Sequence, residues 1–358
     1  MYVEELKNKA EWETFLRTSP YSTFYHSLKW KEVIQSTFRI SSLYLTIKDE
    51  NGAMVGVCPG FITSFMRIKT YNSLPHSDYG GPIISGNHNA QTCLSLLSYL
   101  HEFGATNSIS LTKFRLAENA FEGFFKSPLS CVEKSQGTME IDLKATPSNF
   151  IWKRILSRNS RKKIRQLERR GFRAQEARTK SDLRDFYDLY ARNMKHIEGS
   201  IYPFELMENM WTMLHPDNLR IWLVEREKRI GSLAVLRGLR KTYTVFLGID
   251  RAKEYSKYDV HLYMRLKEVK KAEEEGCEYV SLGSTTSDPK DIHYIEKAGI
   301  GSSFHPQEIV SYPLNSIGCV FSQTKAKTVS AWGKSKEYLP TKLVRFVRRY
   351  GSRLQIRV

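Results

Sequence analysis

One order of elements occurs twice in this chain, and it limits the possible folds more than composition does. In the first copy Leu43, Leu45 and Ile47 alternate with polar neighbours, Asp49 to Gly52 supply a turn, and Met54, Val55, Val57 and Phe61 return. Alternation of this kind is strand patterning, so residues 43–63 predict a hairpin. A helix from Asn89 to Phe103 follows, ended by Gly104. In the second copy Arg220 to Val224 predict a strand, Glu225 to Arg229 a charged turn, Ile230 to Leu236 the returning strand, and Thr242 to Leu247 a third. A helix from Lys257 to Glu275 then runs to Gly276, with Leu262, Leu266, Val269 and Ala272 on one stripe. Each returning strand carries an early glycine, Gly56 and Gly231, and 231 − 56 = 175 gives the offset. A duplicated unit follows, of α/β (α+β) class, with mixed, mostly antiparallel sheets flanked by helices.

The 358 residues also suit two cores better than one. Leu143 to Asn149, holding Pro147, read as a linker, so lobes at 1–146 and 147–314 are expected, with a separate segment at 315–358. Residues 1–40 look helical, with Trp12, Phe15 and Leu16 on one stripe and Trp30, Val33 and Ile34 on another; the loop between holds a short strand. No apolar run approaches the ~20 residues that span a bilayer, and the acidic start is no signal peptide. A cytoplasmic protein is expected. Cys58, Cys93, Cys131, Cys277 and Cys319 are too scattered for a disulfide framework or a metal site, so buried thiols are expected and no metal.

The net charge of +17 is concentrated. Lys153 to Arg173 carry ten Lys or Arg against Glu168, and Thr324 to Val358 carry ten against Glu337. The two segments therefore hold 9 + 9 = +18, and the rest of the chain sums to −1. In the first, a helix from Phe150 to Gly171 would place Arg154, Arg158, Arg161 and Arg165 on one face, at spacings of four, three and four. Such a face fits a polyanion with spaced phosphates, and equally a solvated helix side. In the second, Leu343, Val347, Tyr350 and Leu354 make one apolar face of a basic helix. That face packs on the protein in one reading and lies on an anionic membrane surface in the other.

The stretch from Gly276 to Phe304 is where chemistry is expected. A short strand at Tyr279 to Leu282 opens into a polar loop, Gly283 to Pro289. Beyond it Ile292 and Ile295 would hold the segment to the core and present Lys297 between Glu296 and two mobile glycines, Gly299 and Gly301.

Four phrases carry a family resemblance. Leu74, Pro75, Asp78, Tyr79, Gly80, Gly81 and Pro82 match "L-P-x-x-D-Y-G-G-P"; Lys297 and Gly301 match "F-K-x-x-[WF]-G", with Glu296 and Ile300 where aromatic residues usually stand. Ser27 and Trp30 match "S-x-x-W", and Tyr190 to Pro203 resemble an acceptor-site turn in which Lys195 and His196 straddle the usual arginine. Together they resemble the Fem family of nonribosomal peptidyl transferases, the FemAB-like two-lobed acyltransferases. No coiled-coil arm is present, as in the armless members. The resemblance implies tandem duplicated GCN5-related N-acetyltransferase-like (GNAT) domains, an amide-forming aminoacyl transfer, and aminoacyl-tRNA as donor. It also implies an amine acceptor on a phosphorylated or lipid-linked cell-wall precursor. Lys297 is the expected catalytic group, and Tyr202, Tyr255, Tyr258, Lys195, His196, Ser284 and Trp30 the expected substrate contacts. The paired Gly80 and Gly81 are expected to serve the backbone rather than the substrate. The coenzyme A loop "[QR]-x-x-G-x-[GA]" is missing, because Asp250 to Lys257 hold no glycine. No cofactor is expected, and acyl-CoA is disfavoured as donor. An acyl-CoA or acyl-carrier N-acyltransferase and a non-catalytic RNA-binding protein are the alternatives.

Overall fold

The computed structural model describes residues 1–65, 67–85, 89–117, 130–252, 254–255 and 257–320. They fall into two compact units. Of the described residues, the first takes Met1–Gly137 and those from His305 to Val320, and the second takes Thr138–Phe304. The chain thus passes into the second unit before the expected linker and leaves it before residue 314. The basic tail from Thr324 to Val358 lies outside the described residues.

In the first unit the chain begins as a strand, β1 (Tyr2–Glu5), where sequence suggested helix. Cross-strand pairing decides this: Tyr2 to Glu5 lie antiparallel to Lys48 to Leu45. Helix α1 (Lys9–Thr18) starts at Asn8, whose side chain accepts from the amides of Ala10 and Glu11. Helix α2 (Leu28–Phe38) starts at Ser27, which accepts from the Trp30 amide; a 3-10 turn at Phe24–His26, not a strand, precedes it. After β2 (Ser41–Ser42), the predicted hairpin forms as β3 (Leu45–Lys48) and β4 (Met54–Cys58). Its turn is held by Asp49, whose side chain accepts from the amides of Asn51 and Ala53. Strands β5 (Phe61–Phe65), β6 (Ile68–Asn72) and β7 (Ile83–Ile84) lead to helix α3 (Asn89–Asn107) and strand β8 (Ile109–Ala117).

Gly104 does not end α3. It lies inside the helix, where a Cβ would come within 2.8 Å of Leu314 Cδ1 and 3.1 Å of the Ile109 carbonyl. The demand on that glycine is for space rather than for a cap. The phrase from Leu74 to Pro82 is likewise a built loop. Gly81 has φ +92° and a Cβ there would meet the Arg115 carbonyl at 2.8 Å. Its amide donates to Ser73 Oγ at 2.7 Å, and its carbonyl stands 3.2 Å from His26 Nε2. Burial pushes the His26 imidazole down to about 4, so it is neutral at physiological pH.

Strand β9 (Cys131–Asp142) carries the chain into the second unit. There the single long basic helix expected from Phe150 is broken. A short turn, α4 (Ser148–Phe150), winds into a π turn at Ile151–Ile155, and Leu156 and Ser157 are extended, with ψ of 134° and 153°. Helix α5 (Arg158–Arg169) restarts because Ser157 Oγ accepts from the Ser160 amide. A good cap of this kind stabilises a helix start by about 1 kcal/mol. Arg154 is consequently not on the helix that carries Arg158, Arg161 and Arg165.

Strand β10 (Arg173–Glu176) and helix α6 (Lys180–His196) follow, the helix capped by Thr179 in a capping box with Asp182. Helix α7 (Phe204–Leu214) precedes the predicted strands, here β11 (Leu219–Glu225), β12 (Arg229–Arg237) and β13 (Lys241–Ile249). Helix α8 (Val260–Glu274) ends as its sequence requires: Gly276 takes φ +75° and Cys277 N donates to the Ala272 carbonyl. Strand β14 (Tyr279–Thr286), helix α9 (Ile292–Ala298) and strand β15 (Ser303–Pro313) follow, and the described residues end in a helical stretch at 316–320. Strands β10 to β13 are antiparallel neighbours, and β14 joins β13 in parallel through α8.

Two glycines bring helices onto opposite faces of this sheet. A Cβ on Gly231 would lie 2.4 Å from Val260 of α8, and one on Gly248 would lie 2.5 Å from the Tyr190 amide nitrogen of α6. The contact at Gly248 is with backbone, which cannot swing aside. Gly248→Ala is therefore expected to destabilise the protein by about 1 to 3 kcal/mol through overpacking. Gly299→Ala, where the nearest atom is a carbonyl oxygen at 3.2 Å, serves as the mild comparison. Thermal melts of the two variants test this, and equal melting temperatures would refute it.

Candidate active site

The pair β13 and β14 holds together through three residues only. Lys241, Thr242 and Tyr243 face Tyr279, Val280 and Ser281, and Thr244 Oγ1 adds one bond to the Ser281 carbonyl at 3.1 Å. Beyond that point two irregularities part the strands. On β13, Thr244 faces Val235 and Phe246 faces Ala234, so Val245 is an extra, bulged residue. On β14, Gly283 takes φ +78°, a conformation that a side chain would make costly. The strand then continues to Thr286, further than the expected end at Leu282. Beyond Tyr243 and Ser281 the two strands no longer pair with each other, which opens a gap between the strand ends.

Lys297 sits at the β14 side of this gap. Its Nζ donates to the carbonyls of Ser284 at 2.8 Å and Gly283 at 3.2 Å, and the residue is 8% exposed. This reverses the expected orientation of the segment. Ile292 and Ile295 are 72% and 56% exposed, while Tyr294, Lys297 and Ala298, at spacings of three and one, form the inward face. Tyr294 packs on Phe304 at 5.6 Å between ring centroids, and the lysine stem follows it into the core. Gly301, after α9, is also fitted closely: a Cβ there would lie 2.6 Å from Ile155 and 2.9 Å from Thr146. On β14, Thr285, which follows Ser284, has a buried Oγ1 with no hydrogen-bond partner among the described residues.

Glu296 faces the other way, toward α8. Its Oε1 lies 2.7 Å from His261 Nε2 and 3.1 Å from Arg265 Nη1, and Oε2 lies 3.9 Å from His293 Nδ1. Burial pushes the carboxyl up, but the hydrogen bond and charge of His261 with the charges of Arg265 and His293 hold it down at about 2. The reading from sequence did not include this cluster. His261 and Arg265 are four apart on one helix, a spacing that sequence shows; their partner lies 31 residues beyond Arg265 and sequence does not show it.

The other expected contacts are dispersed. Tyr202 reaches β13, stacking its ring edge-on to Phe246 at 5.6 Å, and its amide donates to the Tyr190 hydroxyl at 3.2 Å. Tyr255 and Tyr258 lie just before α8 and pack on Phe172, at 6.2 and 5.9 Å. Lys195 and His196 are exposed at the end of α6. Ser284 is at the gap through its carbonyl. Trp30 is 2% exposed in the core of the first unit, edge-on to Tyr25 at 5.4 Å. On α5, Arg158 and Arg165 are exposed, whereas Arg161 donates to the carbonyls of Trp152 and Lys153 at 3.2 and 3.0 Å, closing the break that precedes the helix. Among the described residues no group of three His, Cys, Asp or Glu could hold a metal ion. No helix among them is long and apolar enough to cross a membrane.

Residues 156–291 match the family model described as the acetyltransferase (GNAT) domain. The fold is similar to FemX, with a TM-score of 0.65 at 11% identity, over 87% of this chain and 97% of that one. It is also similar to a tandem GNAT protein from the clavulanic acid biosynthesis pathway (TM-score 0.56, 9% identity, 87% and 98%). L-PGS from Bacillus licheniformis is a third (TM-score 0.55, 10% identity, 90% and 98%). No curated protein matches the sequence.

The Glu296 cluster yields a pH prediction. Because the folded carboxyl titrates at about 2 and the ordinary value is 4.5, its stabilisation is complete above pH 4.5 and is lost as pH falls toward 2. Urea unfolding of the wild type and Glu296→Gln across this range is expected to show a stability difference that is constant near neutrality and vanishes near pH 2. A difference independent of pH would show that the carboxylate is not charged and paired in this way.

Proposed function

We propose that this chain, a Fem-like fold of GNAT-type units in tandem, is an acyltransferase that forms an amide by moving an aminoacyl group from aminoacyl-tRNA to an amine. The acceptor amine belongs to a phosphorylated or lipid-linked molecule of the cell-wall precursor class. The observation that carries this reading is the parting of β13 and β14 with Lys297 fixed at its edge. A gap between parallel strand ends gives an extended acyl donor a place to lie, and a buried ammonium beside it can stabilise the oxyanion that forms when an amine attacks an ester. An aminoacyl ester is already activated, so placement and charge supply most of the rate and no covalent nucleophile is needed.

Choice of donor rests on what precedes α8. Asp250 accepts from the Ala252 amide at 3.0 Å and pairs with Lys228 at 2.8 Å, and a glycine-free turn of that kind is a poor cradle for a pyrophosphate. The exposed arginines of α5, Arg158 and Arg165, together with Arg154 before it, suit a nucleic acid backbone. The resemblance to FemX points to the same donor, while the clavulanic acid pathway relative, whose structure was solved without AcCoA, keeps an acyl-CoA donor as the second reading. Tyr202, Tyr255 and Tyr258 are assigned to acceptor binding.

Transfer of label from a mixed pool of charged tRNAs to the small-molecule fraction of a cell extract, with labelled acetyl-CoA in parallel, tests the donor. Movement from tRNA, reduced by about 10²- to 10³-fold in Lys297→Met, is the expected result. Movement from acetyl-CoA alone would replace the donor. No movement from either, with salt-sensitive RNA binding retained, would make the protein a non-catalytic RNA binder. Arg158→Ala and Arg165→Ala are each expected to weaken tRNA binding and to reduce the salt slope by about 0.7 to 0.9, with kcat unchanged.

A further inference from the structure

Amide formation needs a group that Lys297 does not provide. As the C–N bond forms, the attacking nitrogen becomes positive and has to lose a proton before the ester C–O bond breaks. Lys297 holds its ammonium on two strand carbonyls and so supplies charge rather than a base. The imidazole placed for the task is His261.

Its position follows from the fold. Val260, the first residue of α8, sits over Gly231, and Gly231 pairs with Ile249, the last residue of β13; His261 is the next residue of the helix. Glu296 precedes Lys297 on α9, and Lys297 is fastened to the end of β14. The 2.7 Å contact of His261 Nε2 with Glu296 Oε1 therefore joins the elements that cover the two parted strand ends. The imidazole is 27% exposed, and among the described residues no hydrogen bond occupies its Nδ1. Around the pair stand Arg265 on the same carboxylate, His293 at 3.9 Å from it, and the ion pair of Lys163 with Asp259 at the start of α8.

We propose that His261 is the general base of the transfer, with Nε2 held by Glu296 and Nδ1 taking the proton from the attacking amine. The inference rests on the acyl-transfer reading above. The amine nitrogen bonds to the carbonyl carbon and its proton passes to Nδ1; the ester C–O bond then breaks and the imidazolium returns that proton to the leaving oxygen. No co-reactant is consumed. Glu296 stays ionised throughout, fixing the ring and stabilising its charged form, while Arg265 keeps the carboxylate charged.

The test uses the full chain, a pool of labelled aminoacyl-tRNA as donor and the small-molecule fraction of a cell extract, at several dilutions, as acceptor. His261→Gln is expected to lower kcat by about 10²- to 10⁴-fold with little change in KM. The limb of the pH–rate profile carried by imidazole should disappear, leaving a rate that rises steadily with pH. Glu296→Gln, which keeps the imidazole, is expected to lower kcat and to move that limb, and His293→Gln to stay within twofold of wild type. Should His261→Gln melt early, the shifted limb in Glu296→Gln carries the test, because a merely structural clamp would lower the amount of active protein without moving a pH limb. Wild-type kcat and an unchanged profile in a folded His261→Gln would overturn the base and leave the acyl-transfer reading standing. Wild-type protein that transfers from neither charged tRNA nor acyl-CoA would overturn both.

Discussion

The second unit depends on two parallel strands ceasing to pair. A parallel ladder that continued past Tyr243 and Ser281 would satisfy every backbone group between β13 and β14 and leave nothing for a substrate to meet. The bulge at Val245 and the left-handed Gly283 stop it. What the ladder loses is made up by packing from both sides. Gly231 and Gly248 let α8 and α6 approach the sheet closely, so the strand ends are parted without being loose. Lys297 then occupies carbonyls that the broken ladder would have left bare.

Charge serves three separate purposes here, and net charge alone cannot tell them apart. Arg220 is 4% exposed and is bound to Glu268, which is fully buried and also accepts from Trp222 Nε1 at 2.8 Å. Such a pair is costly to break, because the surviving partner stays charged in the core. Arg229, by contrast, gathers Asp182, Asp185 and Glu225 at the sheet margin, where solvent weakens each contact. Arg158 and Arg165 of α5 are exposed and belong to one of the two segments that hold the chain's excess charge.

How far the fold could be read from sequence varied with the length of the pattern. Helix α8 was legible because fifteen residues keep one stripe and Gly276 ends it by a known geometry. Strands β11 to β13 were legible because their apolar runs are bounded by turn residues. Helix α9 was not: seven residues hold two isoleucines, a tyrosine and an alanine, and so short a pattern does not say which face turns inward. The break before α5 was hidden because Ser157 reads equally well as a helix residue and as a cap, and only the chain's path decides between them. In the site, Lys297 was visible from a motif, whereas the His261–Glu296 contact depends on two helices meeting and has no local signature.

The division of the chain between units bears on the order in which it can fold. Among the described residues the second unit is one stretch, Thr138–Phe304. The first is not, since β8 pairs with Gln307 to Pro313, and α3 receives Leu314 against Gly104. During synthesis the amino-terminal unit therefore waits with an open sheet edge while some 170 further residues emerge. Over that interval the unpaired edge of β8 is a place where the nascent chain is open to wrong partners.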